Sequence, residues 1–126
     1  MKIVCHHIYE YKKGLRHLVL CTLESASLEQ AEKKLRQENI DYLVRHVNSS
    51  KVNLFFGKPE CVNVVRAIGD KKLNEYTPEE DFILGTMLGY DLLIQCKRYL
   101  SRKKVNHIFP SLPHTVMQEA LPLAAF

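Results

Sequence analysis

The chain has 126 residues, of which 46% are hydrophobic and 25% charged, and its formal net charge is +4 at pH 7. This composition is typical of a folded globular domain and excludes a largely disordered chain or a histone-like polybasic protein. No apolar run approaches the ~18 residues of a membrane helix, and residues 1–7 lack the apolar core of a signal peptide. We therefore expect a cytoplasmic protein with no membrane segment.

The first elements are a helix and a strand. Residues 3–13 fit a short helix or an irregular strand, and we favour the helix because Gly14 is a common residue just past a helix end. Residues 15–23 contain a continuous apolar run rich in strand-forming residues, which predicts a largely buried strand.

An amphipathic helix and a hairpin are predicted next. Ser27 and Gln30 have the spacing of a capping box, and the apolar residues of 28–39 recur at helical intervals. Residues 42–47 and 52–56 predict two strands joined by a short polar turn, hence a hairpin.

Two more helices complete the pattern. Pro59 suits the first turn of a helix that Gly69 ends. Thr77, Pro78 and Glu80 then form the strongest local signal in the chain, because they combine an N-cap, a first-turn proline and a capping box. Acidic residues follow this start and basic residues accumulate some 20 positions later, which predicts one helix over residues 78–102.

Gly85 and Gly89 lie on one side of that predicted helix. Two glycines in a helix interior cost roughly 2 kcal/mol relative to alanine. Three explanations are open: another helix packs closely on the bare backbone, the segment breaks into two shorter helices, or a ligand approaches the backbone. Close packing is the one we favour.

The same segment predicts a homodimer. An unbroken helix of about 25 residues would be ~38 Å long, enough to span the molecule, and it is apolar on more than one side. We therefore expect it to bury surface against a second copy. The predicted interface comprises Ile83, Gly85, Met87, Gly89, Tyr90 and Ile94.

Candidate chemistry is sparse. The four cysteines, Cys5, Cys21, Cys61 and Cys96, are scattered and predict reduced thiols rather than a disulfide framework. Cys61 and Cys96 are candidate reactive thiols, the first because a helix start lowers a thiol pKa and the second because it adjoins basic residues. No residues have the spacing of a catalytic group, a metal site or a cofactor-binding motif.

A basic cluster ends the long predicted helix: Lys97, Arg98, Arg102, Lys103 and Lys104. We favour the interpretation that these side chains complement the helix dipole. The alternative is contact with an anionic partner, for which an acidic protein fits the net charge and nucleic acid is the weaker candidate.

The stretch from Thr77 to Asp91, continuing through residues 95–99, resembles a small bacterial family of unknown function, DUF2023. Phe55-Phe56-Gly57 and the helix after it are also similar, and the resemblance covers roughly residues 1–104. It implies three strands, about five helices and a homodimer. It implies no activity, and only a loose association with flavodoxins.

Together these patterns predict an α+β protein. We expect a three-stranded, mainly antiparallel sheet covered by about five helices, one of them long and C-terminal, in a single domain over residues 1–106. Residues 107–126 form a proline-containing tail that is docked or free. The leading functional hypothesis is a homodimeric, non-enzymatic interaction protein. The alternatives are a redox accessory that uses Cys61 or Cys96, with a flavodoxin as one conceivable partner, and a weak nucleic-acid binder.

Overall fold

A computed structural model describes residues 1–103. The described residues divide into two compact units, residues 1–70 and residues 71–103. The predictions that concern Lys104, a helical turn over 115–121 and the tail over 107–126 lie outside the described residues. The single domain over residues 1–106 stays a prediction.

The first unit contains the sheet. Its strands are β1 (Leu18–Glu24), β2 (Asp41–His46) and β3 (Lys51–Gly57). β3 lies in the middle and pairs antiparallel with both neighbours, so that Leu20 and Leu43 both stand opposite Phe55. The predicted hairpin and antiparallel sheet are confirmed.

Three helices belong to the same unit: α1 (Lys2–Lys12), α2 (Leu28–Gln37) and α3 (Pro59–Ile68). Residues of α1 and α2 share one apolar core with alternate residues of the strands. Because strand side chains alternate between faces, one set of strand positions serves this core. Its buried members are Val4, Ile8, Val19, Cys21, Ala31, Leu35, Ile40, Leu54 and Phe56.

The helices α1 and α2 end in the same backbone conformation. Gly14 (φ 79°) and Asn39 (φ 56°) each adopt the left-handed conformation just past the last turn. The amide of each of these two residues, and that of the residue after it, donates to a carbonyl in the last turn of the helix. This pair of hydrogen bonds is the Schellman motif. The helix over residues 3–13 and its end at Gly14 are confirmed.

The start of α2 differs from the prediction. Ser25–Ser27 form a short 3₁₀ turn, and Ser27 has helical angles (φ −91°, ψ −8°) and makes no side-chain capping bond. An N-cap needs an extended backbone to aim its hydroxyl at the first free amides. The predicted capping box of Ser27 and Gln30 is therefore wrong, although the helix itself is present.

The second unit is helical. A 3₁₀ turn over Leu73–Glu75 leads into α4 (Pro78–Met87) and α5 (Leu92–Arg102). The α+β class with five helices and three strands is thus confirmed over the described residues. The prediction of one helix over residues 78–102 is wrong, because the segment forms two helices of about equal length. This is the second of the three explanations given above for the two glycines, a break into shorter helices.

Candidate interaction site on the α4–α5 pair

The break between α4 and α5 has a local cause. Gly89 is left-handed (φ 80°), its amide donates to the carbonyl of Thr86, and the amide of Tyr90 donates to the carbonyl of Gly85. Asp91 then caps α5, since its carboxylate accepts from the amide of Ile94 at 2.9 Å. Gly89 is therefore a helix terminator, and this explains why a glycine is tolerated there.

Gly85 has a different role. It is buried, and a Cβ at this position would overlap the side chain of Gln95 from α5, lying 2.7 Å from its Cδ. The Gln95 side chain is 2% exposed, and its Oε1 atom has no hydrogen-bond partner among the described residues. The packing of another helix on the bare backbone of Gly85, favoured above, is thus confirmed for this glycine, and the helix that packs on it is α5.

A buried ion pair joins the two helices. The Nε of Arg98 donates to Asp81 Oδ2 at 2.7 Å and its Nη2 donates to Oδ1 at 3.1 Å. Both side chains are at most 5% exposed. Arg102 adds a contact to Asp81 at 3.5 Å and donates to the carbonyl of Tyr76 at 2.8 Å. This bidentate geometry holds α5 in one orientation on α4.

An apolar groove of about 450 Å³ lies on the outside of this pair. It is lined by Glu79, Phe82, Ile83, Cys96, Tyr99 and Leu100. The rings of Phe82 and Tyr99 pack edge to face with centroids 5.8 Å apart. Such edge-to-face contacts give the wall of the groove a defined shape.

The polar rim of the groove is internally paired. The carboxylate of Glu79 contacts Lys103 Nζ at 3.0 Å and accepts from the hydroxyl of Tyr99 at 3.0 Å. The pKa of Glu79 is lowered from its ordinary value of 4.5, mainly by the hydrogen bond from Lys103 and to a smaller extent by hydrogen bonds from the backbone and from Tyr99. The same contact raises the pKa of Lys103, so both groups are charged at neutral pH.

Apolar side chains continue from the groove into solvent. Ile83 is 42% exposed, and Leu92 and Leu93 are 58% and 62% exposed. Leu92, Cys96 and Tyr99 follow one another at i, i+4 and i+7, so they form one stripe along α5. We call Ile83, Leu92, Leu93 and the groove together the apolar face.

The comparison with known families is decisive for identity. The profile of DUF2023, described as a protein of unknown function, matches residues 2–102. The chain belongs to the DUF2023 family. No curated protein matches it.

The predicted dimer residues of this DUF2023 chain fall in different places. Ile83 is on the apolar face, while Met87, Tyr90 and Ile94 are half-buried. The Gln95 side chain fills the space beside the bare backbone of Gly85, and Gly89 lies in the turn between α4 and α5. The argument for a dimer from one molecule-spanning helix is lost, because that helix is broken, and the homodimer stays a prediction. The sequence analysis did not single out the exposed Leu92 and Leu93.

The predicted anionic-partner contacts are largely engaged within the second unit. Arg98 is buried against Asp81, Arg102 contacts Asp81 and Tyr76, and Lys103 contacts Glu79. Lys97 is half-buried, and Lys104 lies beyond the described residues. The sequence analysis missed Asp81 as the partner of Arg98, since their pairing depends on the turn at Gly89.

The cysteines of the DUF2023 chain are all free thiols, as predicted. Burial raises the pKa of Cys61, and the neighbouring Glu60 raises it further, so the expected lowering at a helix start is wrong. Burial also raises the pKa of Cys21 to about 11. Cys96 lines the groove. The reactivity of Cys61 or Cys96 stays a prediction.

The described part of the chain lacks two features, a cluster of metal ligands and a membrane-spanning helix. Residues 1–103 contain no group of three or more histidine, cysteine or acidic side chains arranged to hold a metal ion. None of the helices in this range is long and apolar enough to cross a membrane.

Proposed function

We propose that this DUF2023 protein is a non-enzymatic interaction protein of the bacterial cytoplasm that acts as a homodimer. The observation that carries the proposal is the apolar face, where Leu92 and Leu93 stay more than half exposed. Apolar surface costs about 25 cal/mol per Å² when left in water. A contiguous exposed apolar patch beside a groove is typical of an interaction surface.

A second copy of the chain is the occupant that suits this face. In a two-fold dimer each copy presents the same patch to the other, so a face that carries both a groove and projecting leucines can complement itself. The charge at the rim also favours self-association. Glu79 is balanced by Lys103, so two identical faces meet without net like-charge repulsion.

Sedimentation velocity or light scattering tests the proposal. We expect the wild-type protein to be a dimer at micromolar concentration, and Ile83→Asp or Leu93→Asp to shift it to monomer because each buries a carboxylate in an apolar interface. Ile3→Asp is the matched control, since Ile3 is 66% exposed but lies on α1.

Circular dichroism establishes that each variant is folded. A wild-type monomer at micromolar concentration would refute the homodimer. A dimer that resists both substitutions on α4 and α5 would place the interface elsewhere and refute the proposed face.

A further inference from the structure

A second groove lies between α1 and α2 in the first unit. Its volume is about 480 Å³, within the range of sites that hold small ligands or a few side chains. It is lined by Cys5, Ile8, Tyr9, Lys12, Lys13, Lys34 and Glu38. We call it the basic groove.

The charges of the basic groove do not balance. Three lysines face one carboxylate: Lys12 Nζ lies 3.2 Å from Glu38 Oε1, and Lys34 Nζ lies 3.9 Å from the same oxygen. Lys13 Nζ instead lies over the ring of Tyr9, 5.5 Å from its centroid. Two positive charges therefore remain available to a ligand.

The contacts of Lys12 and Lys34 with Glu38 can be replaced by contacts with a ligand at little cost. Lys12 is 55% exposed and Lys34 is 40% exposed. Exposed ion pairs contribute little to stability, so the lysines can turn to another carboxylate at small cost. The ring of Tyr9 is 57% exposed beside them, while Ile8 at the floor is 3% exposed.

From this combination we infer that the basic groove binds an acidic segment of a partner protein, with one apolar side chain of that segment against Ile8 and Tyr9. Charge complementarity identifies the partner, because carboxylates can satisfy the two unbalanced lysines. A nucleic acid fits less well. The buried floor at Ile8 matches an apolar side chain of a peptide, which a phosphate backbone does not offer.

The inference rests on the proposed role in protein interaction but uses residues separate from the apolar face. A dimer without peptide binding therefore overturns only the basic groove. A monomer that binds peptide overturns only the homodimer.

The probe is a short fluorescein-labelled peptide of Glu and Asp with a central Phe, measured by fluorescence anisotropy with the full chain. We expect saturable binding at about 50 mM salt that weakens at about 150 mM. A peptide with Lys at each acidic position is the charge control and is expected not to bind. Replacing the Phe with Ser is expected to weaken binding, since the apolar contact is lost.

The double variant Lys13→Gln/Lys34→Gln tests the location. Since an exposed contact to an anion is individually weak, we expect the Kd to rise roughly three- to tenfold. Lys51→Gln/Lys72→Gln removes the same total charge at exposed positions outside the groove and is expected to change the Kd much less.

Cys5 supplies an independent readout because it lines the groove and is exposed. Bound peptide is expected to slow alkylation of Cys5 without slowing that of Cys61. The inference is overturned by absence of peptide binding at low salt, by equal losses in the two double variants, by undiminished Cys5 labelling, or by tighter binding of mixed-sequence DNA or RNA than of the peptide.

Discussion

Arg98 and Asp81 are joined by two hydrogen bonds inside the α4–α5 pair, with both side chains almost fully buried. Removing one member leaves the other as an uncompensated buried charge, whereas replacing both removes the desolvation penalty as well. We expect Asp81→Ala to lower the free energy of unfolding by about 3–5 kcal/mol.

The double variant Asp81→Leu/Arg98→Met is the control for this pair. It is expected to be more stable than either single removal, because no charge is left unpaired. Urea unfolding measures the stability of the single and double variants. A single variant that costs less than about 1 kcal/mol, which is what an exposed ion pair contributes, would contradict the buried pairing.

Gly85 and Gln95 form a second testable relationship. Gly85→Ala is expected to be about 1–3 kcal/mol less favourable in the wild type than in a Gln95→Ala background, since the added methyl overlaps the Gln95 side chain. In a Gln95→Ala background the clash is gone and the same substitution is expected to stabilise by up to about 1 kcal/mol through helix propensity. A thermodynamic cycle from urea unfolding measures this difference, and additive effects would argue against the contact.

The start of α4 predicts a pH effect through Glu80. Lys71 at 2.6 Å, and then the amide of Thr77 at 2.9 Å, lower the pKa of Glu80 below 4.5 in the folded protein. A carboxyl whose folded pKa is depressed contributes stability that is present above its unfolded pKa and is lost as the pH falls through the folded pKa. We expect the stability difference between wild type and Glu80→Gln to shrink as the pH falls below about 4.5.

Glutamine keeps the hydrogen bonds of the capping box, so this substitution isolates the charge. Thr77→Ala is the companion variant. It removes the hydroxyl that accepts from the Glu80 amide at 3.1 Å, and it is expected to cost about 1 kcal/mol. A difference between wild type and Glu80→Gln that stays constant across the acid range would show that the charge has no such role.

Thiol chemistry separates the interaction hypothesis from the redox one. Burial raises the pKa of Cys21 to about 11 and raises that of Cys61, so few thiolates form at neutral pH. We expect iodoacetamide to label exposed Cys5 first and Cys21 only at the rate of unfolding. Mass spectrometry of each site provides the measurement, and rapid labelling of Cys61 or Cys96 at pH 7 would revive the redox hypothesis.

Local signals explain what could be predicted from the sequence. The Gly14 end, the start of α3 at Pro59 and the capping box at Thr77 each depend on neighbouring residues alone. The sequence favours an unbroken helix over a break after α4, because apolar residues continue at helical spacing across it. Reading Gly89 as a terminator and Asp91 as the next N-cap would have found it.

Other features depend on contacts between distant residues. The burial of Arg98 and the exposure of Leu93 both follow from how α5 packs on α4. The basic cluster in the sequence therefore makes Arg98 look available to a partner although it is buried. The basic groove likewise combines Tyr9 and Lys34, which come from different helices. Helical periodicity identifies the face of each helix, but it does not identify which helix lies beside it.

The central position of β3 has a consequence for how the chain folds. β2 and β3 are adjacent in sequence and can pair early, whereas β1 must find β3 across the whole of α2, with Leu18 opposite Gly57. Closing such long loops slows folding relative to local pairing. During synthesis we therefore expect β1 to stay unpaired until β3 begins to emerge at Lys51, and α1 to have no completed sheet to pack on before residue 57 follows.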